Sequence, residues 1–340
     1  MSSCIHKARF SGQEEPTVEH KKEVKIAMIL PEKRIGRYAH STSTAVFAYF
    51  LTREYPSALK TFKIEDESKE EIKQVLERIK DEGYEYVIAP VTIEGAKQIL
   101  EQAYELTIYL PTISRAEMPI DADNIYYGAI DYDAQIKALL PYVTTPLVIM
   151  YGNSKQGKRL KEMTQKSYES LPLKPGTKRG TVISYSVDKS QSSLRPYFEK
   201  NEKIQSGTIF LNTPLIKSTM IISQLSLYDV EVNNILSTQA NYNPLLLSMT
   251  QKKDLKGLYI ANSITIQDDR VIQANALLSN DIVYDWINYS TTVGADYFYY
   301  LMTGKKRIYD LPMVEHQLHY PITIVTPEKT HFKVVKQLRQ

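Results

Sequence analysis

The stretch YVIAPVTIEGAKQILEQAYELTIYLPTIS, residues 86–114, decides the fold. It opens on a short apolar run, Tyr86-Val87-Ile88-Ala89, closed by Pro90, which lacks the N–H that a continuing central strand would need. Thr92 stands at the N-cap position of a helix expected over 93–104. A second short apolar run, Thr107-Ile108-Tyr109-Leu110, follows and is again closed by a proline, Pro111. Strands that are apolar throughout, with a helix between them, are the pattern of a parallel sheet covered by helices.

The same rhythm extends in both directions. Upstream, residues 24–30 (VKIAMIL) form a strand that stops at Pro31. Helical spacing covers 36–55, an extended piece 61–64, and a helix 69–82 for which Ser68 and Glu71 make a capping-box pattern. Downstream come an extended segment at 125–129, a helix over 131–142, and a strand at 147–151 after Pro146. The alternation then begins again, with helices expected over 154–171, 194–204 and 214–227. Strands alternate with them at 181–186 and 208–211, and 234–236 and 258–260 read as extended. A long helical region, 281–302, bends or breaks near Gly294. Residues 318–325 and 331–335 read as two strands around a turn at 326–329. Two runs of βα units argue two sheets. The expected architecture is α/β, two Rossmann-like lobes with parallel sheets covered by helices. One lobe is expected from 24–145 plus about 262–304, the other from 146–261 plus about 305–340, behind a polar tether at 1–23.

Composition excludes several classes. The 42 Lys+Arg nearly balance the 39 Asp+Glu, and the net charge of +3 gives no strong attraction to nucleic acid or to anionic lipid. A single cysteine, Cys4, allows no intrachain disulfide and no cysteine-rich metal site. His316 and His319 are three apart, but in a segment that reads as extended, so no metal is expected there. No apolar run reaches the length of a membrane span. Met1-Ser2-Ser3-Cys4 resembles the end of a bacterial lipoprotein signal, which makes Cys4 a candidate lipidation site and an anchor the sole expected membrane contact. No cofactor is expected. No G-x-G-x-x-G follows the first strand, and no G-x-S-x-G elbow occurs. Gly152-Asn153-Ser154-Lys155-Gln156-Gly157-Lys158 lacks the spacing of a phosphate loop and has Arg159 where the hydroxyl residue should stand. No nucleophile-and-base pair is legible, so an enzyme is not expected.

In open parallel sheets, small molecules bind beyond the carboxyl ends of the strands, where helix N-termini present free N–H groups. Polar residues at those ends are the candidate ligand contacts. They are Arg37 and Tyr38 after the first strand, Thr92 after the third, Ser114 and Arg115 after the fourth, and Thr213, Gln239 and Tyr242 in the second half. Arg37 and Arg115 are candidate anion partners because a guanidinium pairs bidentately with a carboxylate. The chain holds 25 tyrosines against 8 Phe and 1 Trp, and Tyr38 and Tyr242 stand out among them by position.

From about residue 24 to 335, this order of elements resembles the type I periplasmic binding protein family, the leucine/isoleucine/valine-binding proteins. The likeness rests on the opening strand, on 86–92 with 110–115, on 133–142 with 146–157, and on 285–303. Pro111-Thr112-Ile113-Ser114 is similar to the family's proline-plus-Ile-Ser stretch. Val293-Gly294-Ala295-Asp296 is similar to its late Gly-Tyr-Asp-Ala segment. The resemblance implies an extracytoplasmic, periplasmic protein that takes a small polar molecule between two lobes and reports to a membrane permease. It makes Thr92 and Ser114 the candidates for holding a ligand carboxylate. The chain departs from the amino-acid binders in having one hydroxyl in the Pro90–Glu94 loop and no acid in the loops 212–214 and 237–243. The same fold occurs in envelope lipoproteins that bind a protein partner, such as activators of penicillin-binding proteins. The alternative expectation is therefore an interaction module with a degenerate ligand site.

Overall fold

The structure, a computed structural model, describes residues 23–102, 105–118, 122–172, 176, 178–265 and 267–338. The tether at 1–23 and Cys4 lie, but for Glu23, outside them.

The first sheet begins with β1 (Val24–Pro31), β2 (Ser57–Ile64), β3 (Tyr86–Ile88), β4 (Thr107–Leu110) and β5 (Ile125–Tyr127). Between these strands run α1 (Glu32–Ile35), α2 (Tyr38–Phe50), α3 (Lys69–Asp81) and α4 (Ile93–Leu100). The second half comprises α5 (Tyr132–Leu139), β6 (Leu147–Gly152), α6 (Lys155–Glu169), β7 (Val182–Val187), α7 (Arg195–Phe198) and β8 (Thr208–Asn212). It continues with α8 (Leu215–Leu227), β9 (Asn234–Ser237), α9 (Pro244–Met249) and β10 (Leu258–Asn262). Last come α10 (Asp269–Leu277), α11 (Trp286–Thr303), β11 (Met313–Val314), β12 (Gln317–Leu318), β13 (Ile322–Glu328) and β14 (His331–Leu338).

These strands form two sheets, ordered β2-β1-β3-β4-β5-β12-β11 and β7-β6-β8-β9-β10-β13-β14. The leading five strands of each are mutually parallel, and both sheets share the order 2-1-3-4-5. The apolar runs are buried on both faces. In β1, Ile26, Met28 and Leu30 pack with Ala45, Val46, Val293 and Phe298 on one side. Ala27 and Ile29 pack with Ile72, Val75, Ile79 and Ile99 on the other. That alternation places α2 and α11 on one face of the first sheet and α3 and α4 on the opposite face. The second sheet is covered likewise, by Phe198, Ile221 and Leu225 on one face and by Ile136, Leu139 and Tyr168 on the other.

The lobe boundaries differ from those expected. Helix α5 was assigned to the first lobe, but Ile136, Leu139 and Leu140 belong to the core of the second sheet. The first crossing therefore lies just before Tyr132, not at Pro146. The segment after residue 305 was assigned to the second lobe, yet β12 pairs in parallel with β5 and β11 pairs with β12, both in the first sheet. That return crossing follows Leu318. A third crossing leaves β10 at Asn262. Smaller differences have local causes. Pro196 fits the first turn of α7, and Lys200 at φ 54 ends the helical stretch, so the helix expected over 194–204 is broken. Helix α11 runs unbroken through Gly294 and starts late because Asp285 caps it. The tail turn falls at Lys329-Thr330, with Lys329 at φ 54, instead of at 326–329.

Candidate ligand cleft

The carboxyl ends of the two parallel sheets confront each other. A pocket of about 300 Å³ lies between them, walled from the first lobe by Arg37, Tyr38, Asp285 and Trp286 and from the second by Leu215, Gln239, Tyr242 and Asn243. Tyr132, at the first crossing, completes it. Four of the eight expected contacts, Arg37, Tyr38, Gln239 and Tyr242, thus meet in one place.

Local sequence sets each of them. Helices α2 and α8 begin at Arg37 and Pro214 without a side-chain cap, and in α2 the Ala39 N–H is taken by the Gly36 carbonyl at 3.0 Å. The Arg37 guanidinium donates to the Tyr38 hydroxyl at 3.1 Å and lies 5.0 Å from that ring's centre. Asp285 caps α11, accepting from the N–H groups of Ile287 (3.0 Å) and Asn288 (3.2 Å). Burial raises its carboxyl above the ordinary value, against the pull of the Asn288 N–H and of Arg37. Tyr242 reaches across to Tyr284, ring centres 5.1 Å apart, and packs on Phe332 at 5.0 Å. Burial first, then Tyr284 and Asp281, push its hydroxyl up to about 12.

Gln239 is held at its backbone and on one side of its amide. Its N–H donates to Gln135 Oε1 (2.9 Å) and its own Oε1 accepts from the Ser263 N–H (2.7 Å). Gln135 Nε2 in turn donates to Ser263 Oγ at 2.7 Å. This buried triad ties two crossings to the loop after β9. The Nε2 of Gln239 has no hydrogen-bond partner, although the residue is 5% exposed.

The other four expected contacts are used internally. Thr92 caps α4 as expected, but its N–H (2.8 Å) and its hydroxyl both donate to the carboxylate of Glu67, which is buried. The Ser114 N–H (3.0 Å) and hydroxyl (3.2 Å) both donate to Glu117 Oε2. Arg115 donates to the Glu315 carbonyl, lies 3.5 Å from the Glu315 carboxylate, and has its N–H on Gln317 Oε1 at 2.9 Å. Ser114 and Arg115 line a separate space of about 510 Å³ beyond Tyr132 and Ile130. The Thr213 hydroxyl pairs with Ser218 Oγ at 2.8 Å inside the second lobe. None of the four faces the 300 Å³ pocket. Sequence reasoning did not find Asp285, Tyr132, Trp286, Glu67 or Glu117. An aspartate directly before an apolar helical run was a usable N-cap signal for Asp285. The two glutamates gave none, since their partners are set by the fold.

Among the described residues no helix is long and apolar enough to cross a membrane, and no group of three His, Cys, Asp or Glu side chains is placed to hold a metal. His316 instead stacks on Tyr126, ring centres 4.9 Å apart.

No family model matches the sequence, and no curated protein matches it. Solved structures match over nearly the whole chain. The branched-chain amino acid substrate-binding protein LivJ from Streptococcus pneumoniae, in complex with isoleucine, is 12% identical with a TM-score of 0.63, covering 93% of this chain and 99% of that one. A branched-chain amino acid transporter protein from Thermus thermophilus with bound valine is 12% identical with a TM-score of 0.67, covering 94% and 97%. LpoA from Haemophilus influenzae is 10% identical with a TM-score of 0.59, covering 94% of this chain and 60% of that one. The fold is that of the type I periplasmic binding proteins, two α/β lobes of mostly parallel strands joined by three crossings.

Proposed function

We propose that the chain is a non-enzymatic, extracytoplasmic solute-binding protein that takes a small polar molecule in the pocket between Arg37, Asp285 and Gln239. The observation that carries the reading is the convergence of both lobes on one pocket, which sets the Gln239 side chain in its wall. Arg37 and Asp285 offer opposite charges beside it, and Tyr38, Tyr132, Tyr242, Tyr284 and Trp286 supply flat apolar walls. An α-amino acid gripped by hydroxyls at Thr92 and Ser114 does not fit this reading, because Glu67 and Glu117 hold those hydroxyls. Closure of the lobes on the ligand would be read by a membrane permease.

The test is a thermal-shift screen with amino acids, amides, nucleosides and short peptides. A compound at about 100 times its Kd raises stability by about 2.7 kcal/mol. That gain should vanish in Arg37→Ala and in Gln239→Leu. A screen in which no compound shifts the transition would count against a solute and for the second reading.

That second reading is an envelope lipoprotein, anchored through Cys4, whose lobes recognise a protein such as a cell-wall synthase. It is favoured by the internal occupation of both first-lobe hydroxyl sites. Crosslinked recovery from envelope extracts separates the two: a transport permease supports the first, a cell-wall synthase the second.

A further inference from the structure

A ligand that closes two lobes must touch both, and the Glu117 carboxylate already does so. Glu117 follows β4 at the carboxyl edge of the first sheet. Its Oε2 accepts from the N–H and the hydroxyl of Ser114, and its Oε1 pairs with the guanidinium of Arg159, which belongs to α6 on the second lobe. The carboxylate is sheltered, its side chain 14% exposed against 37% for Arg159. Tyr132, at the first crossing, lies close enough that Glu117 helps raise its hydroxyl, after burial, to about 12. Two uncharged donors on one lobe and a guanidinium on the other form a complete carboxylate site. A carboxylate fixed in the chain occupies that site at a high effective concentration.

We propose that Glu117 is a ligand surrogate in cis: it bridges Ser114 and Arg159 so that the lobes stay together with no solute bound, over a latent site for a small carboxylate. This does not rest on the solute reading, since Ser114, Glu117 and Arg159 all lie outside the Arg37–Asp285 pocket. If the lobes normally close only on ligand, differential affinity alone sets the closed fraction. Here Glu117 supplies that differential contact permanently.

The test uses the full chain with Glu117→Ala, and Glu117→Gln as the variant that keeps the side chain's bulk without its charge. Far-UV circular dichroism checks folding. Small-angle scattering reads the radius of gyration, and Trp286, the single tryptophan, reports on the cleft wall by its emission. The unliganded wild type should scatter as a closed molecule. Both variants should expand, redden the Trp286 emission and lower Tm by about 2–4 °C, an amount in line with losing one sheltered bridge in a chain of this length. Formate or acetate, but not chloride at equal ionic strength, should restore compactness and Tm in Glu117→Ala with a saturable dependence. Arg159→Ala should open the protein equally and gain nothing from formate. A Glu117→Ala protein that scatters as wild type overturns the proposal, and so does one that opens but responds to formate no better than to chloride. Absence of any solute in the other pocket changes none of these outcomes.

Discussion

At the scale of single residues, the buried polar groups do separate jobs, and Asp296 is the clearest structural one. Fully buried in α11, it accepts from the Tyr49 hydroxyl (2.9 Å) and from the N–H groups of Ile308 (2.9 Å) and Tyr309 (3.0 Å), with Arg307 3.7 Å away. It thereby pins the loop after α11 to α2. Asp296→Ala leaves three donors without an acceptor and a guanidinium without its anion. The expected loss is about 3–5 kcal/mol, measured as a lower urea midpoint with unchanged m-value. Elsewhere on that helix, Ser290 and Gly294, four residues apart on one face, lie against Tyr109. A Cβ built on Gly294 would come within 2.2 Å of Tyr109 Cδ1 in the core. Gly294→Ala gains helix propensity worth about 1 kcal/mol, yet the expected result is a net loss of roughly 1–3 kcal/mol, since the ring has no room to retreat. Asp285 makes a pH statement. Its folded-state carboxyl titrates above the ordinary 3.8, chiefly through burial, so the native state holds the proton more firmly than the unfolded chain. That contribution lowers stability as pH rises from 3.8 through the raised value. Asp285→Asn keeps the cap but has no charge to bury. Calorimetry from pH 3.5 to 6.5 should therefore show the variant's Tm, relative to wild type, improving as pH rises; a constant or falling difference would show that burial does not govern this group.

At the scale of elements, the crossings are where local pattern and tertiary arrangement part company. The alternation of strand and helix was legible because short apolar runs end at Pro31, Pro90 and Pro111, and because Ser68 and Thr92 do cap α3 and α4. Even there the capping box is only half made: Ser68 accepts from the Glu71 N–H, while the Glu71 carboxylate goes to the Asp66 N–H. The apolar stripe of α5 says that Ile136 and Leu139 are buried but not which sheet buries them, so the first crossing was misplaced. Strands β11 and β12, two residues each, carry no readable period. The cleft was half legible for a related reason. Loops at strand ends can be read as a group, and four residues read that way, Arg37, Tyr38, Gln239 and Tyr242, line one pocket. Thr92 and Ser114 were expected to meet a ligand, whereas their hydroxyls bond to Glu67 and Glu117, acceptors chosen by how loops fold back and not by local pattern. The Gln135–Ser263–Gln239 triad shows what holds the crossings in register. Gln135→Leu keeps the volume and strands the Gln239 N–H and the Ser263 hydroxyl in a buried site. The expected cost is about 2–4 kcal/mol, with faster amide exchange in the segments around 128–135 and 263–267 while the sheet interiors keep their protection.

At the scale of the whole molecule, each lobe depends on chain that arrives after the other lobe has been made. One face of the first sheet is covered by α11, whose Val293, Ala295, Phe298 and Tyr299 share a core with Met28, Leu30 and Tyr49. The second lobe depends in turn on Ile322, Ile324 and Val325, which come after α11 and β12. Neither sheet has both faces and its last strands from one contiguous segment, so the crossings make the lobes thermodynamic dependants of each other. A fragment of residues 23–131 retains β1 to β5 and α1 to α4 but loses α11, and so bares the part of the face that α11 covers beside α2. An apolar face of that extent cannot be left to water in a stable monomer. The fragment is expected to lack a cooperative thermal transition, to bind an apolar dye and to show no near-ultraviolet dichroism, as a collapsed state without fixed packing does. Adding a second fragment, residues 263–319, should restore cooperativity, because it returns α10, α11, β11 and β12 together. If the first fragment melted cooperatively on its own, the interleaving would carry no energetic weight, and the lobes would be independent domains that merely share three connections.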